Sequence, residues 1–424
     1  MVDAALEASG GKERRLRLIP SRVVVYLLLA GALFDGQGWR SVWSRLTSAL
    51  PQAPRRPCAS ALTEAMRRVG PAPLRELFTL LAGPAGSAAP QRVRFAGRLV
   101  VAIDGTQLAI ADTEANRNRF PKPRPGPNGQ AGYPTIRLVA IVATGTRAII
   151  DAAFGTDRVG ELAYASTLTG ALRAGMLLLA DRNFATYQFL AQVAGTGADL
   201  LIRAKSGHGA MRLPVLKRLP DGSYLSSAKG MRVRVVEAVV TITTKTGSRA
   251  SSYRLITTML DPVQAPAAQL VQLYHQRWEI ETAYCELKST ILGGRVLRAR
   301  HPSGVEQELW ALLCTYQALR IAISDALLHR PDINPDRASF TVALHAARDQ
   351  IIQTAGIIAE TSINLVGRIG AAVLTDLLPA RRTRTRQRVI KRAISKYRAK
   401  GDHIDRRTHP ATLHTRILTP EPDD

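Results

Sequence analysis

Cysteine is scarce in this sequence of 424 residues, and acidic side chains are outnumbered by basic ones. The three cysteines, Cys58, Cys285 and Cys314, show no paired spacing, which argues against a disulfide framework or a cysteine-based zinc site and fits a reducing cytoplasm. Aspartate plus glutamate number 33 against 58 lysines plus arginines, giving a formal net charge of +25. This imbalance indicates a polyanionic partner, with nucleic acid as the first candidate.

The sequence also lacks an apolar run long enough to span a bilayer. The longest run, residues 23–34, begins more than twenty residues into the chain and ends without a small-residue cleavage pattern, so we reject a signal peptide. We predict instead a buried helix that begins at Pro20 and Ser21, and no membrane partner. The absence of a Gly-x-x-x-x-Gly-Lys-Ser/Thr motif disfavours a nucleotide-driven motor.

Residues 1–95 are predicted to form a helical N-terminal domain, because apolar residues recur at helical spacing between prolines and glycines. Four helices are expected: Val23–Leu33, Ser41–Leu50, Ser60–Val69 and Pro73–Leu81. A linker rich in proline, glycine and alanine closes this domain at residues 83–90. A role in DNA binding is inferred for it from charge and position alone.

Residues 96–330 favour a mixed α/β domain. Three strands that suit antiparallel pairing are followed by helix, strand, helix and strand, with Asn183 as the expected cap of the second helix. A β-rich insertion at about 206–262, with a hairpin at residues 220–222, precedes one long helix predicted over Pro266–Ile291. The sequence therefore predicts an α/β sheet with a β insertion before its last helix.

The C-terminal region, residues 331–424, is predicted to be helical and to end in a polar tail. Long helices are expected at Val305–Leu328 and Ser339–Leu378. Residues 381–400 contain ten Lys or Arg and no acidic residue. Contact with DNA phosphates explains this density, and a solvated tail is the alternative.

Two aspartates follow buried strands. Asp104 comes after RLVVAI and Asp181 after MLLLA, so rigid backbone holds each carboxylate beside the core. Carboxylates held in this way form sites for hard cations, although a single aspartate at a strand end is more often a turn former or helix cap.

One face of the predicted long helix carries four polar residues, Tyr274, Arg277, Glu281 and Lys288. At about 100° per residue they fall within roughly 60° of one another, whereas Glu279 and Glu286 lie roughly 120–140° away. Trp278 lies close to the shared face. The alternative is an ordinary amphipathic helix with an Arg277–Glu281 ion pair, but this explains only two of the four residues.

These residues together resemble the DDE transposases of the insertion element 4 family. The spacing Tyr-x-x-Arg-x-x-x-Glu-x-x-x-x-x-x-Lys at residues 274–288 matches the family signature in full. The segment GYPTIRLVAIVATGTRAIIDAAFG with Glu161 is similar to the strands after the family's first aspartate, and LLLADRNF to the surroundings of its second. The resemblance covers residues of about 20–400, weakly in the first 90.

The resemblance implies a ribonuclease H-like catalytic domain in which Asp104, Asp181 and Glu281 bind two Mg²⁺ ions about 4 Å apart, with Mn²⁺ able to substitute. These ions serve cleavage and strand transfer in cut-and-paste transposition. The family's tyrosine, arginine and lysine contact the transposon end, so Tyr274, Arg277 and Lys288 inherit that role, and Trp278 would stack on a displaced base. The implied partners are the terminal inverted repeats and target DNA, bound by a dimer on the bacterial nucleoid in the cytoplasm.

A loop rich in proline and glycine, RNRFPKPRPGPNGQ, is a candidate DNA clamp. Its basic residues are Arg117, Arg119, Lys122 and Arg124. A plain solvated loop is an equally good interpretation.

Two other classes of DNA-binding protein would also carry a basic charge. A tyrosine recombinase is disfavoured because no tyrosine follows the His-x-x-Arg at residues 403–406. An inactive or domesticated transposase that only binds DNA remains the alternative, although it need not retain three placed carboxylates.

Overall fold

Three of the five helices described within the first 85 residues pack against the apolar helix predicted from residues 23–34. The computed structural model describes residues 1–13, 15, 17–48, 50, 55–85, 94–123, 132–205, 209–328, 330–353, 365–380, 384–385 and 407–419. The five helices are α1 (Val2–Ala8), α2 (Ser21–Leu33), α3 (Trp39–Thr47), α4 (Ala59–Val69) and α5 (Ala72–Ala85). Pro20 is the N-cap of α2, so the predicted start of this helix is confirmed. Most of α2 is buried, as expected for a helix that carries apolar residues on all of its sides.

A mixed sheet follows, and its first strands alternate with helices. They are β1 (Arg94–Phe95), β2 (Arg98–Ala109), α6 (Glu114–Arg119), β3 (Thr135–Ala143), β4 (Ile149–Thr156), α7 (Glu161–Leu168), β5 (Met176–Ala180), α8 (Tyr187–Gly195) and β6 (Asp199–Arg203). The strand order is β4-β3-β2-β5-β6. Strands β2, β3 and β4 pair antiparallel, whereas β2, β5 and β6 pair parallel. This is the ribonuclease H-like arrangement, so the predicted α/β class is confirmed.

The β-rich insertion extends this same sheet beyond β6. It contains β7 (Lys217–Arg218), β8 (Tyr224–Ala228), β9 (Met231–Thr244) and β10 (Gly247–Thr257), and β10 pairs antiparallel with β6. The predicted hairpin at residues 220–222 joins β7 to β8. The buried Arg234 donates to the Ala265 carbonyl at 2.7 Å and pairs with Asp221, which ties the insertion to the start of the next helix.

The prediction of one regular α-helix over Pro266–Ile291 is wrong. The chain follows a helical path there, but it divides into α9 (Ala267–Tyr274), a 3₁₀ turn (His275–Trp278), α10 (Glu279–Cys285) and a π-helical turn (Glu286–Ile291). The 3₁₀ turn lies inside the Tyr/Arg/Glu/Lys signature and the π-helical turn overlaps its end, in keeping with the tendency of such turns to mark functional sites.

The C-terminal region differs most from expectation. Its elements are α11 (Pro302–Leu328), α12 (Phe340–Gln353), α13 (Leu365–Thr375), β11 (Arg384–Thr385), β12 (His409–Pro410) and β13 (Thr412–Leu418). The polar tail contains a strand that the sequence did not predict, β13, which pairs antiparallel with β9 and so extends the sheet of the insertion. The predicted helix over 339–378 is divided, and residues 354–364 between its parts lie outside the described residues. Apart from residues 384–385, so does the basic stretch 381–400.

The sheet is buried on both faces. Side chains alternate along β2, so Val100 and Ala102 enter one hydrophobic cluster while Val101 and Ile103 enter the other. The N-terminal helices, α9 to α13 and one sheet face share the first cluster, in which α11 packs against α2 and α5. Among the described residues, α11 has the length and composition to cross a membrane, but 67% of its apolar window is buried, as in a core helix.

Candidate active site

Asp104 and Asp181 lie side by side on neighbouring parallel strands. Ala102 on β2 is in register with Leu179 on β5, and each aspartate comes two residues after its member of this pair. Asp104 also faces Ala140 of β3, so it lies within the sheet, whereas Asp181 follows the last residue of β5. The register therefore places the two aspartates at equivalent positions of adjacent central strands.

Both aspartates accept a backbone hydrogen bond at one carboxylate oxygen. The Gly105 N–H donates to Asp104 Oδ1 at 2.9 Å, and the Asn183 N–H donates to Asp181 Oδ1 at 2.7 Å. The prediction that Asn183 caps α8 is wrong, because that cap is Thr186, which accepts from the Phe189 N–H. The two local hydrogen bonds orient the aspartates and leave their second oxygens for other partners.

Arg277 joins Asp104 to the helical signature. Its Nη1 donates to Asp104 Oδ2 at 3.0 Å, and its Nη2 lies 3.6 Å from Glu281 Oε1. The Arg277 side chain is 12% exposed and that of Glu281 56% exposed. The buried Arg277 Nε has no hydrogen-bond partner among the described residues. One guanidinium thus bridges carboxylates from β2 and α10.

The other signature residues lie around this bridge. The Tyr274 hydroxyl is buried and donates to the Ala180 carbonyl at 3.2 Å, directly before Asp181. A DNA contact through that hydroxyl would require this bond to break. Lys288 Nζ donates to Thr106 Oγ1 at 3.2 Å, two residues after Asp104. Trp278 is 52% exposed, so its ring is accessible for stacking.

The opposite side of the helical segment is occupied by a buried charge network. Glu279 accepts from Arg147 Nε at 2.7 Å, and Glu286 pairs with Arg320 and accepts from the Tyr316 hydroxyl at 3.1 Å. These two glutamates therefore point away from the aspartates and hold the segment against the turn between β3 and β4 and against α11.

Burial and neighbouring charges shift the pKa of groups at the site. Burial raises the pKa of the Asp104 carboxyl, Arg277 and the Gly105 N–H oppose the rise, and Asp181 and Glu281 add to it. Burial raises the pKa of the Tyr284 hydroxyl as well. That hydroxyl donates to the Asp104 carbonyl at 2.6 Å and anchors the strand at the site.

The carboxylates fit a divalent cation in chemical type, because Mg²⁺ prefers oxygen ligands. Within the part of the chain that the structure describes, no group of three or more His, Cys, Asp or Glu is gathered closely enough to hold a metal ion. The Arg277 guanidinium instead supplies positive charge between Asp104 and Glu281. A bound metal at these oxygens would require Arg277 to release Asp104.

Two family models match the chain. One, described as the transposase DDE domain, matches residues 95–318, and the other, the insertion element 4 transposase N-terminal region, matches residues 1–79. The first covers more than half of the chain. The chain belongs to the insertion element 4 family of DDE transposases. It is thus a transposase, an enzyme of the nuclease and transferase type, in a family that generally uses a divalent metal ion.

Relatives of this transposase include two proteins of Escherichia coli K12. Transposase InsG for insertion sequence element IS4 is 27% identical over 410 residues, which cover 94% of this chain and 91% of InsG. The putative transposase InsZ is 27% identical over 140 residues, or 33% of this chain and 47% of InsZ. A piggyBac transposase in a synaptic complex with hairpin DNA gives a TM-score of 0.45 at 12% identity, covering 89% of this chain and 82% of its own.

The basic loop of the transposase is partly paired within the chain. Arg117 Nη1 lies 2.7 Å from Asp112, and Lys122 Nζ lies 2.6 Å from the other oxygen of the same carboxylate. The Arg119 guanidinium lies over the Phe120 ring at 5.7 Å, and Arg124 lies outside the described residues. Binding of DNA by Arg117 and Lys122 would therefore compete with Asp112.

Two residues near the site were not predicted to belong to it. Tyr284, ten residues after Tyr274, falls about 80° from it on an ideal helix, so periodicity offered a signal. Glu161 was quoted only as part of the family resemblance. Burial raises the pKa of its carboxyl, and the charges of Asp104 and Asp181 add to the rise.

Proposed function

We propose that this transposase cleaves DNA at the ends of its insertion sequence and joins them to target DNA, using Asp104, Asp181 and Glu281. The observation that supports it is the convergence of two aspartates on the adjacent parallel strands β2 and β5 with the glutamate that Arg277 links to Asp104. An inactive or domesticated derivative would have no need to keep this arrangement.

Two Mg²⁺ ions, when bound, would activate the attacking water or 3′-hydroxyl and stabilise the leaving oxygen of the scissile phosphodiester. The protein's part is to hold three carboxylates at fixed positions on rigid elements, which lowers the barrier by orientation and electrostatics. In this proposal Arg277 exchanges Asp104 for a DNA phosphate, and Lys288 and Trp278 contact the transposon end nearby.

We further propose that two copies act together on DNA, because both ends of an element must be cut and joined in one event. On α12, Leu344 is buried in the core and Val342 and Ile351 pack against it, so packing accounts for these apolar residues, while Ile352 is exposed. Two further apolar residues that would suit a dimer contact, Ile357 and Ile358, lie outside the described residues. Light scattering with and without end DNA measures the stoichiometry, and one protein per end with full cleavage of both strands would contradict the dimer.

The proposed catalytic role is tested by replacing each carboxylate with its amide: Asp104→Asn, Asp181→Asn and Glu281→Gln. We expect Mg²⁺-dependent cleavage to fall by at least about 10³-fold, since bound metal lowers the activation barrier by several kcal/mol. Affinity for end DNA should remain, because phosphate contacts come from basic residues. Gel assays of cleavage and binding measure both quantities.

The control is Asp325→Asn, since Asp325 is exposed on α11. It should cleave as the unaltered protein does. Retention of cleavage by Asp104→Asn or Asp181→Asn would refute the proposed site.

A further inference from the structure

A basic residue continues the row of the two aspartates onto the next strand. Strands β2, β5 and β6 are parallel neighbours, and three residues in register across them enter the same hydrophobic cluster: Ala102, Leu179 and Leu201. Two positions further along come Asp104, Asp181 and Arg203, the last residue of β6. Because side chains alternate along a strand and neighbouring strands are about 4.8 Å apart, Arg203 lies on the same face as the aspartates, one strand beyond Asp181.

The β insertion holds the Arg203 guanidinium in place. Its Cζ lies 4.0 Å from the centre of the Tyr253 ring, and its Nη2 donates to the Ser252 carbonyl at 3.0 Å. Tyr253 lies on β10, and its ring packs edge-on against that of Tyr274, with the centroids 5.9 Å apart. Within the part of the chain that the structure describes, no acidic side chain forms an ion pair with Arg203. The two contacts orient the guanidinium and leave N–H groups for a ligand.

Positive charge therefore lies on both sides of the aspartate pair. Arg277 donates to Asp104 Oδ2 at 3.0 Å, and Lys288 donates to a threonine of the same strand, β2. Arg203 lies on the other side, next to Asp181. A DNA strand whose scissile phosphate lies between the aspartates would meet an arginine on each side of the cut.

We propose that Arg203, oriented by Tyr253, binds a phosphate of the DNA that flanks the insertion sequence, on the side of the cut opposite to the phosphate bound by Arg277. The proposal rests on the proposed function, because it takes Arg277 and Lys288 to bind the transposon end. Arginine binds phosphate through charge-assisted hydrogen bonds, and a side chain already oriented by a ring loses less entropy on binding. A simpler role for Arg203 is to fasten the insertion to β6. That role predicts an effect on stability alone, whereas phosphate binding predicts an effect that depends on the DNA substrate.

The first test compares two DNA substrates of the full chain without divalent metal: an uncut end that continues into flanking DNA, and the same end terminated at the cut. We expect Arg203→Gln to weaken binding of the flanked end by about tenfold. The slope of log affinity against log salt should fall by about 0.9, since one phosphate contact is lost. Binding of the terminated end should be unchanged. Fluorescence anisotropy over a salt series measures both substrates.

Two further variants serve as controls for this comparison. Arg232 is an exposed arginine of β9 near the turn from β8, at the end of the sheet away from Arg203. Arg232→Gln should therefore bind both substrates as the unaltered protein does. Arg277→Gln should weaken binding of both substrates, because its phosphate belongs to the transposon end. Melting temperatures identify any variant whose folding is impaired.

The second test removes the ring that orients Arg203. Tyr253→Leu should weaken binding of the flanked end by about threefold, the equivalent of one exposed cation–π contact, and leave the terminated end unaffected. Tyr253→Phe keeps the ring and should bind both substrates normally. In an Arg203→Gln background, Tyr253→Leu should have no further effect on binding of the flanked end. A ring that only fastens the insertion predicts a lower melting temperature and no difference between the substrates.

The outcomes separate this inference from the proposed function. If Arg203→Gln weakens binding of both substrates equally, or of neither, Arg203 does not bind flanking DNA and the inference is wrong, while the three-carboxylate site stands. If Arg277→Gln leaves binding of both substrates unchanged, or if Asp104→Asn and Asp181→Asn still cleave, the proposed function fails and the inference fails with it.

Discussion

The two faces of the segment from His275 to Ile291 carry the same residue types, glutamate and its arginine partner, in different roles. On one face Arg277 bridges Asp104 and Glu281, and Glu281 is 56% exposed. On the other face Glu279 and Glu286 are buried and matched to Arg147 and Arg320. Each buried glutamate is paired with an arginine away from solvent, whereas Glu281 on the other face is largely exposed. The buried face fixes the segment in place, and the other face retains capacity to bind.

Removing Arg320 should give the largest effect on stability. Its side chain is 2% exposed, pairs with Glu286 and donates to the Tyr316 hydroxyl at 3.2 Å. Arg320→Ala removes the closer of the two arginines that pair with the buried Glu286 and leaves only Arg147 Nη1 at 3.5 Å, which costs about 3 kcal/mol. Urea unfolding measures this loss. Tyr316→Phe, which removes only hydroxyl contacts, should cost about 1 kcal/mol, and equal losses for the two variants would show that the network is not held by charge.

Glu279→Gln and Glu281→Gln should have opposite phenotypes. Glu279→Gln weakens a buried pair while Arg147 keeps Asp336, so about 1–3 kcal/mol of stability is lost and cleavage persists below the melting point. Glu281→Gln should leave stability within about 0.5 kcal/mol and stop cleavage, since its side chain is largely exposed. Thermal melts paired with cleavage assays separate them. An exchanged pattern would place the wrong face toward the DNA.

Local sequence patterns predicted the parts of the fold that depend on neighbouring residues. The apolar run at residues 23–34 gave α2 with its start at Pro20. Two apolar runs followed by an aspartate gave β5, which ends before Asp181, and β2, which continues past Asp104 to Ala109. The helical face was also predicted although the segment is not an ideal helix. Its 3₁₀ turn overwinds the chain and its π-helical turn underwinds it, so their rotations partly offset.

What the sequence did not predict depends on partners far apart in the chain. Arg147 and Glu279 are separated by 132 residues, and no local periodicity pairs them. Strand β13 is short and polar, and it is stabilised by the edge of β9, which is more than 160 residues away. The approach of Glu161 to Gly105 depends likewise on how α7 packs over β2. Topology, rather than composition, decides each of these contacts.

The smallest effect we predict concerns Arg277 as a competitor of metal. Because its guanidinium donates to Asp104, Arg277→Gln should raise Mn²⁺ affinity of the DNA-free protein by about tenfold, the equivalent of one charge-assisted hydrogen bond of ~1.4 kcal/mol. Affinity for end DNA should fall at the same time, because a phosphate contact is lost. Arg147→Gln is the matched variant on the buried face: it should lose stability with no gain in Mn²⁺ affinity. If Arg277→Gln binds Mn²⁺ no better than the unaltered protein, the guanidinium does not compete with metal, and both faces of the segment serve only to hold it in place.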